Sequence, residues 1–286
     1  MTTAWSGLAL GAIYAAVALG YNIVFIASGR FNFAQAQFGM LGTFGAYMGI
    51  SQAGLPWPVT LAAVAVGGLL LGAAEEFVAV RPFRNSSSST QLLATVAVGV
   101  VMVGAASLIW GTEPLQVRFG GNESIEILGG LVSPIEIVLI ATSVVLTLGL
   151  WVLSVRTSWG LAAVAAAEDM DAAKLRGINV SRLSAGSFAL AAAIGMVAGA
   201  LMAPKTLASF SIGNVLAVKG FLAMAIGGFG SLPGGLLGGL AVGLIEATAG
   251  RWLGSSAAQM VLLAALLVVL LVLPGGLFRN RTVRTV

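Results

Sequence analysis

Long apolar segments separated by short polar stretches make up almost the whole chain. The first covers residues 5–27, which is enough to cross about 30 Å of hydrocarbon. Comparable segments follow at 38–50, 58–74, 92–110, 135–153, 183–203, 217–228, 236–249 and 261–273. Because this hydropathy repeats along the length, we predict an all-α, polytopic transmembrane helical bundle with a single domain over residues 1–286.

Two breaks, each beginning near glycine, interrupt this pattern. The first, 28–37, carries Asn32, Gln35 and Gln37, and the apolar run that follows is too short to span alone. These amides therefore lie partly at membrane depth, against protein or water, or they belong to an interfacial loop. The second break, 229–235, precedes glycines at four-residue spacing. We expect nine spans, or eight if the first break is re-entrant.

The cations are distributed unevenly between the two predicted sides of the membrane. Nine of the fourteen Lys and Arg residues fall on one side: Arg81, Arg84, Arg156, Lys174, Arg176, Arg182, Arg279, Arg281 and Arg284. Basic loops favour the cytoplasm, so this side is predicted to be cytoplasmic. The loop 111–133 is acidic and is predicted to lie outside, as is the N-terminus in the nine-span arrangement.

A polar insert at about 156–182 separates two apolar segments and has the signals of short surface helices. Asp169 can cap a helix over 170–176, Gly177 can supply a left-handed residue at its end, and Asn179 can cap the next span. Such an insert is either a solvated loop or a docking element for a cytoplasmic partner. In the second case the small side chains of Ala172 and Ala173 would allow close approach.

The residue inventory excludes several kinds of chemistry. The chain has no Cys and no His, which excludes disulfides, thiolate chemistry and His-ligated metal sites. The stretch 227–231 lacks the Lys and the spacing of a P-loop, so we predict no catalytic residue. The sparse cations give no nucleic-acid patch. Glu246 is an intramembrane carboxyl and a functional candidate, but we expect it to lie near the outer interface and pair with Arg251.

Four stretches resemble the integral-membrane permeases of bacterial ABC importers for branched-chain amino acids. They are Asn32-Phe33-Ala34, Arg81-Pro82-Phe83-Arg84, the insert residues Ala167-Glu168-Asp169 with Ala172, Ala173 and Gly177-Ile178-Asn179, and the segment from Lys219 to Glu246. The last, which contains the run Gly227 to Gly234, is the most specific. In one departure, Gln35-Ala36 stands where the family has His-Gly after Asn-Phe-Ala, which affects substrate or gating details.

The resemblance implies a permease subunit of an ATP-driven importer in the bacterial cytoplasmic membrane, carrying branched-chain or other hydrophobic amino acids. Implied partners are a second related permease, two cytoplasmic ATPase subunits, an extracytoplasmic substrate-binding protein and the lipid bilayer. ATP and Mg are expected on the ATPases and no cofactor on this chain. The predicted pathway residues are Asn22, Asn32, Gln35, Gln37, Ser231 and Glu246. The predicted ATPase-coupling residues are Ala167, Glu168, Asp169, Ala172, Ala173, Gly177, Ile178 and Asn179.

Three alternatives remain at this stage. Importers for urea and short amides have a similar architecture. An ion-coupled secondary transporter would need buried ionisable or carbonyl-rich sites at paired helix breaks, and the breaks at 28–37 and 229–235 resemble such a pair. A scaffold protein would not need amides at a helix break.

Overall fold

A computed structural model of the chain describes residues 1–84, 86–117, 124–272 and 275–278, with the backbone alone for residue 255. Its helices are α1 Thr2–Ser28, α2 Gln35–Ala46, α3 Trp57–Glu75, α4 Ser88–Trp110, α5 Pro134–Arg156, α6 Ser158–Glu168, α7 Met170–Leu175, α8 Val180–Thr206, α9 Ile212–Gly227, α10 Leu232–Leu253 and α11 Ser255–Val272. π-Helical turns at Tyr47–Gln52 and Glu76–Val80 extend α2 and α3. Strands β1 Ile125–Ile127 and β2 Gly130–Val132 form an antiparallel hairpin.

The bundle has two distinct ends. One, called here the basic end, carries Arg30, Arg84 and the insert helices α6 and α7; the other, the hairpin end, carries β1 and β2. In the described part of the chain, nine helices run alternately between these ends, starting with α1 at the hairpin end. Six of them, α1, α3, α4, α5, α8 and α10, are long and apolar enough to cross a membrane, while α9 and α11 are shorter apolar helices. This confirms the all-α polytopic fold and leaves the number of spans approximate.

The core is formed by α1 and α8, most of whose residues are buried. By contrast α3, α4 and α5 expose most of their apolar side chains, including Val100, Val101 and Leu108 on α4. In a soluble protein so much exposed apolar surface would be unstable, but in a bilayer lipid covers it. The distribution of burial therefore agrees with a central pair of helices surrounded by membrane-facing ones.

Helices pack most closely where glycines face a neighbouring helix. A Cβ placed on Gly239 would lie 2.4 Å from the backbone nitrogen of Ala15, and one on Gly243 would lie 2.2 Å from that of Gly11. Side chains larger than hydrogen would therefore force α1 and α10 apart. The same arrangement brings α2 against α8, where a Cβ on Gly199 would lie 1.9 Å from the carbonyl oxygen of Gly39. These contacts replace the hydrophobic effect as the main packing force between membrane helices.

Several predicted boundaries are wrong. The second helix begins at Gln35 and not Phe38, so its amides belong to the helix. The third continues past Ala74 to Val80, which buries Glu75 and Glu76 where we expected a span end. Helix α8 continues past residue 203 to Thr206, and α9 begins at Ile212 and not at residue 217, so the loop between them is only five residues long, 207–211. The acidic loop contains the hairpin, although its residues 118–123 lie outside the described part.

The cation distribution agrees with the prediction where it is described. Arg81, Arg84, Arg156 and the insert cations Lys174, Arg176 and Arg182 all lie at the basic end. The remaining three, Arg279, Arg281 and Arg284, lie outside the described residues. At the hairpin end Lys205 forms an ion pair with Glu136, which also accepts a hydrogen bond from Ser6 at 3.0 Å.

Candidate functional site

The break between α1 and α2 is held by a buried amide. Helix α1 ends at Gly29 in the left-handed conformation, with φ +66°. Asn32 is fully buried; its Oδ1 accepts from the Ala34 backbone N–H at 2.9 Å, and its Nδ2 donates to Glu75 Oε2 at 2.9 Å. The other carboxylate oxygen of Glu75 is buried and makes no hydrogen bond among the described residues. The amide at this break is thus buried against protein, as the first of the two alternatives expects.

The two glutamines that follow are buried in the centre of the bundle. Gln35 donates from Nε2 to the carbonyl of Ala191 at 2.8 Å, and Gln37 donates to Asn214 Oδ1 at 3.1 Å. The Oε1 atoms of both are buried and make no hydrogen bond within the described structure. A buried polar atom is unfavourable unless a protein group, water or ligand supplies its hydrogen-bond partner. Their predicted place on a translocation pathway remains a prediction.

The second break, between α9 and α10, is joined to α1 by Asn22. The Oδ1 of Asn22 accepts from the Gly230 backbone N–H at 2.7 Å, and its Nδ2 donates to the Ser231 carbonyl at 3.2 Å. The Ser231 hydroxyl accepts from the Gly234 N–H at 3.1 Å and caps α10. The predicted pathway residues Asn22 and Ser231 therefore lie together, and their polar atoms hold the break in shape.

Four phenylalanines gather where the two breaks meet. Phe31, after the first break, has its ring centroid 5.0 Å from that of Phe25 and 5.6 Å from that of Phe229. Phe221 lies 6.0 Å from Phe31. These tilted and edge-on arrangements are favourable for aromatic rings. The cluster joins α1, α9 and both breaks at the basic end, a convergence that sequence spacing did not indicate.

Arg84 is the centre of an ion-pair network at the basic end. Glu76 is fully buried and accepts from Arg81 at 2.8 Å and from Arg84 at 2.6 Å. The other terminal nitrogen of Arg84 donates to the Ser181 hydroxyl at 3.0 Å. Ser181 lies in the first turn of α8, at the end of the insert. The Arg-Pro-Phe-Arg motif thus connects α3 with the end of the insert.

Gln91 extends this network to the first break. Its Nε2 donates to the carbonyls of Arg84 and Ser86 at 3.1 and 3.0 Å, and its Oε1 accepts from Arg30. Burial and, second, the nearby Arg84 lower the pKa of Arg30, but an arginine stays protonated in proteins. A continuous set of polar contacts therefore runs from the insert to the α1–α2 break.

Glu246 belongs to a charged cluster inside the bundle, and its predicted pairing with Arg251 is wrong. Lys219 forms an ion pair with Glu246 and donates to the Tyr14 hydroxyl at 3.1 Å, while Tyr14 donates to Glu246 at 2.8 Å. Arg251 instead donates to the Thr3 hydroxyl at 2.6 Å. The pair lies about 10 Å, or seven residues of helix, from the end of α10. The side chains of Lys219 and Glu246 keep 17% and 21% exposure.

The insert has the caps that its sequence predicts. The Asp169 carboxylate accepts from the N–H groups of Asp171 and Ala172 at 3.0 and 2.9 Å, and Asn179 accepts from that of Arg182 at 3.0 Å. Gly177 has φ +82°. Its N–H donates to the Lys174 carbonyl at 2.9 Å, and the next N–H, of Ile178, donates to the Ala173 carbonyl at 3.0 Å. These two bonds form a Schellman motif, which fixes the end of α7.

The exposed face of the insert differs from the predicted one. Ala173 is buried in an apolar cluster with Ala27, Ala163 and Leu183, so it packs against its own bundle. Ala172 is exposed as expected, together with Ala167, Glu168, Asp169, Gly177 and Asn179. Leu175, which the sequence did not single out, is 90% exposed. A six-residue helix is too short for hydrophobic periodicity to show which face it buries.

Sequence similarity relates this chain to known proteins. The family described as branched-chain amino acid transport system, permease component, matches residues 3–271. The high-affinity branched-chain amino acid transport system permease protein LivH of Escherichia coli is 31% identical, covering 99% of this chain and 96% of its own length. The corresponding BraD of Pseudomonas aeruginosa is 29% identical, covering 98% and 96%.

A solved structure agrees at the level of the fold. A chain of PsaBC from Streptococcus pneumoniae in complex with Fab matches with a TM-score of 0.50 at 12% identity, covering 93% of this chain and 90% of that one. At this identity the likeness concerns the fold alone. The family match extends over almost the whole length, and the apolar helices make the chain a multi-pass membrane protein. The chain belongs to the permease-component family of branched-chain amino acid transport systems.

Proposed function

We propose that the chain is a permease subunit of an ATP-driven importer that carries branched-chain amino acids across the bacterial cytoplasmic membrane. The observation that carries the proposal is the family match over residues 3–271, which includes both helix breaks and the capped insert. The relatives reported above are named for branched-chain amino acid transport. They lend no support to the urea, short-amide or ion-coupled alternatives.

The proposed partners follow from the two ends of the bundle. At the basic end, the fixed insert helix with exposed Leu175 offers an apolar projection to a cytoplasmic ATPase subunit. Two such ATPases would bind ATP and Mg, while this chain supplies a connection from the insert to the breaks through Arg84 and Gln91. A second related permease subunit would complete the pore. An extracytoplasmic binding protein would deliver the amino acid at the hairpin end.

The test is uptake in cells that lack this chain. Radiolabelled leucine uptake should be lost in a deletion strain and restored by the intact chain. The complex purified through a tag on this chain should contain a second permease and ATPase subunits. Uptake of urea, or of no solute at all, by the restored strain would contradict the proposed substrate.

A further inference from the structure

A cleft between α9 and α11 carries three polar side chains in an otherwise aliphatic wall. It has a volume of about 240 Å³ and is lined by the polar residues Asn214, Lys219 and Gln259. The exposed faces of α4, by contrast, carry apolar side chains such as Val100 and Val101. Charged and amide groups within spanning helices face protein or a water-filled cavity, because their exposure to hydrocarbon is unfavourable. The cleft therefore faces water or protein.

The rest of the wall is aliphatic. Leu222 and Leu262 are almost fully buried at its base, and Leu266 continues the apolar surface along α11. The amides of Asn214 and Gln259 lie close to the first turns of α9 and α11, at the hairpin end of the cleft. The cleft thus combines a cation, two amides and a branched aliphatic surface.

Lys219 has a donor available for a ligand. Its ammonium group has three N–H donors. Within the described structure, two of them are directed to Glu246 and Tyr14. Because Glu246 balances the charge, the cleft is close to neutral overall, which suits a ligand that carries one positive and one negative charge.

We propose that this cleft is a transient binding site for the transported amino acid, with Lys219 binding its carboxylate. The amide oxygen of Gln259 would bind the ammonium group together with Asn214 Oδ1, which also accepts from Gln37 and as a carbonyl oxygen has a second lone pair. The leucines would contact the aliphatic side chain. The inference rests on the proposed function and adds to it a site and its chemistry. The site lies in the half of the bundle nearer the hairpin end, where a binding protein would release its ligand.

The decisive experiment separates binding by Lys219 from a structural role of the ion pair. The complete complex, with its ATPases and leucine-loaded binding protein, is reconstituted in proteoliposomes with the double substitution Lys219→Met and Glu246→Gln. This variant leaves neither charge unpaired, so a purely structural pair would be replaced with little loss. We expect leucine import to fall about 10-fold or more, as for a lost charged hydrogen bond, while ATP hydrolysis stimulated by the binding protein persists.

A second variant tests the cleft without changing the ion pair. Val218 lies on its wall at 51% exposure, and Val218→Trp should fill the space. Import should fall to about a tenth or less. The matched control is Val101→Trp on α4, where valine is 68% exposed outside the cleft, and import should stay within about twofold of the unmodified rate.

The outcomes are distinct. Unimpaired import by the double variant, or by Val218→Trp, would overturn the proposal while the proposed function stands. Loss of co-purification with the second permease in Val218→Trp alone would make the cleft a subunit interface and also overturn it. An unmodified complex that hydrolyses ATP but imports no leucine would contradict the proposed function and this site with it.

Discussion

Gly177 is the residue whose replacement should damage coupling with the least disturbance elsewhere. Its left-handed conformation, with φ +82°, allows the two hydrogen bonds of the Schellman motif that ends α7. A Cβ at this position would meet nothing within 4 Å, so a side chain added here begins in open space. The free-energy cost of Gly177→Val therefore arises in the backbone, because the left-handed conformation is unfavourable for a β-branched residue.

The magnitude follows from this conformation. A non-glycine residue held in a left-handed conformation costs about 1–3 kcal/mol. This corresponds to a reduction of about 5- to 150-fold in the ratio of capped to uncapped insert. When the cap opens, the hydrogen bonds to the Lys174 and Ala173 carbonyls are lost, and Ile178 leaves the apolar cluster that it contacts.

The assay is leucine import and ATP hydrolysis by the reconstituted complex. Gly177→Val should lower import and the stimulation of hydrolysis by liganded binding protein together, with normal membrane insertion. Gly177→Asn is the matched control, because asparagine tolerates the left-handed conformation in the same open space. A second control is Gly254→Val, which has a similar φ of +85° and open surroundings but lies at the hairpin end.

Three results would contradict this prediction. Normal import by Gly177→Val would mean that the insert is a solvated loop. Equal damage from Gly177→Asn would mean that the side chain, and not the backbone conformation, matters at this position. Loss of stimulated hydrolysis in Gly254→Val would show that strain anywhere in the bundle has the same effect.

Three further predictions concern other parts of the molecule. Glu76→Gln breaks the buried pairing of this carboxylate with two arginines and should lower the free energy of unfolding by about 3 kcal/mol. The change is measured as a lower Tm in detergent, and the control Glu168→Gln, at an exposed position, should leave Tm unchanged. Asn32→Leu removes the hydrogen bonds to Ala34 and Glu75 and should lower leucine uptake with ATPase co-purification intact; normal uptake would remove this amide from the pathway. Single cysteines at Asn179 and Glu113 should be labelled from opposite sides of the membrane, and labelling from the same side would contradict the topology.

The parts of the fold that sequence predicted well are determined by local interactions. Asp169, Gly177 and Asn179 act on the residues within three or four positions of themselves, so their residue types are sufficient to predict the caps. The glycines at four-residue spacing after the second break were visible in the sequence, and in α10 they form its close contact with α1.

What sequence missed depends on contacts between distant segments. Glu246 has an arginine five residues ahead, but it pairs with Lys219, 27 residues earlier, because α9 and α10 run antiparallel. Glu76 resembles the polar end of a span, yet it is buried because the helix continues in π-helical turns to the residue before Arg81. Ala173 is buried and Leu175 is exposed because α7 packs one face against α1, α6 and α8, which no local pattern records.

The central claim is that this chain forms part of an ATP-driven pathway for branched-chain amino acids. The most direct test reconstitutes the complex in proteoliposomes and measures radiolabelled leucine accumulation with leucine-loaded binding protein, with and without ATP. Leucine should accumulate against its gradient only when both ATP and this chain are present. Accumulation without ATP, or undiminished accumulation when this chain is omitted, would contradict it.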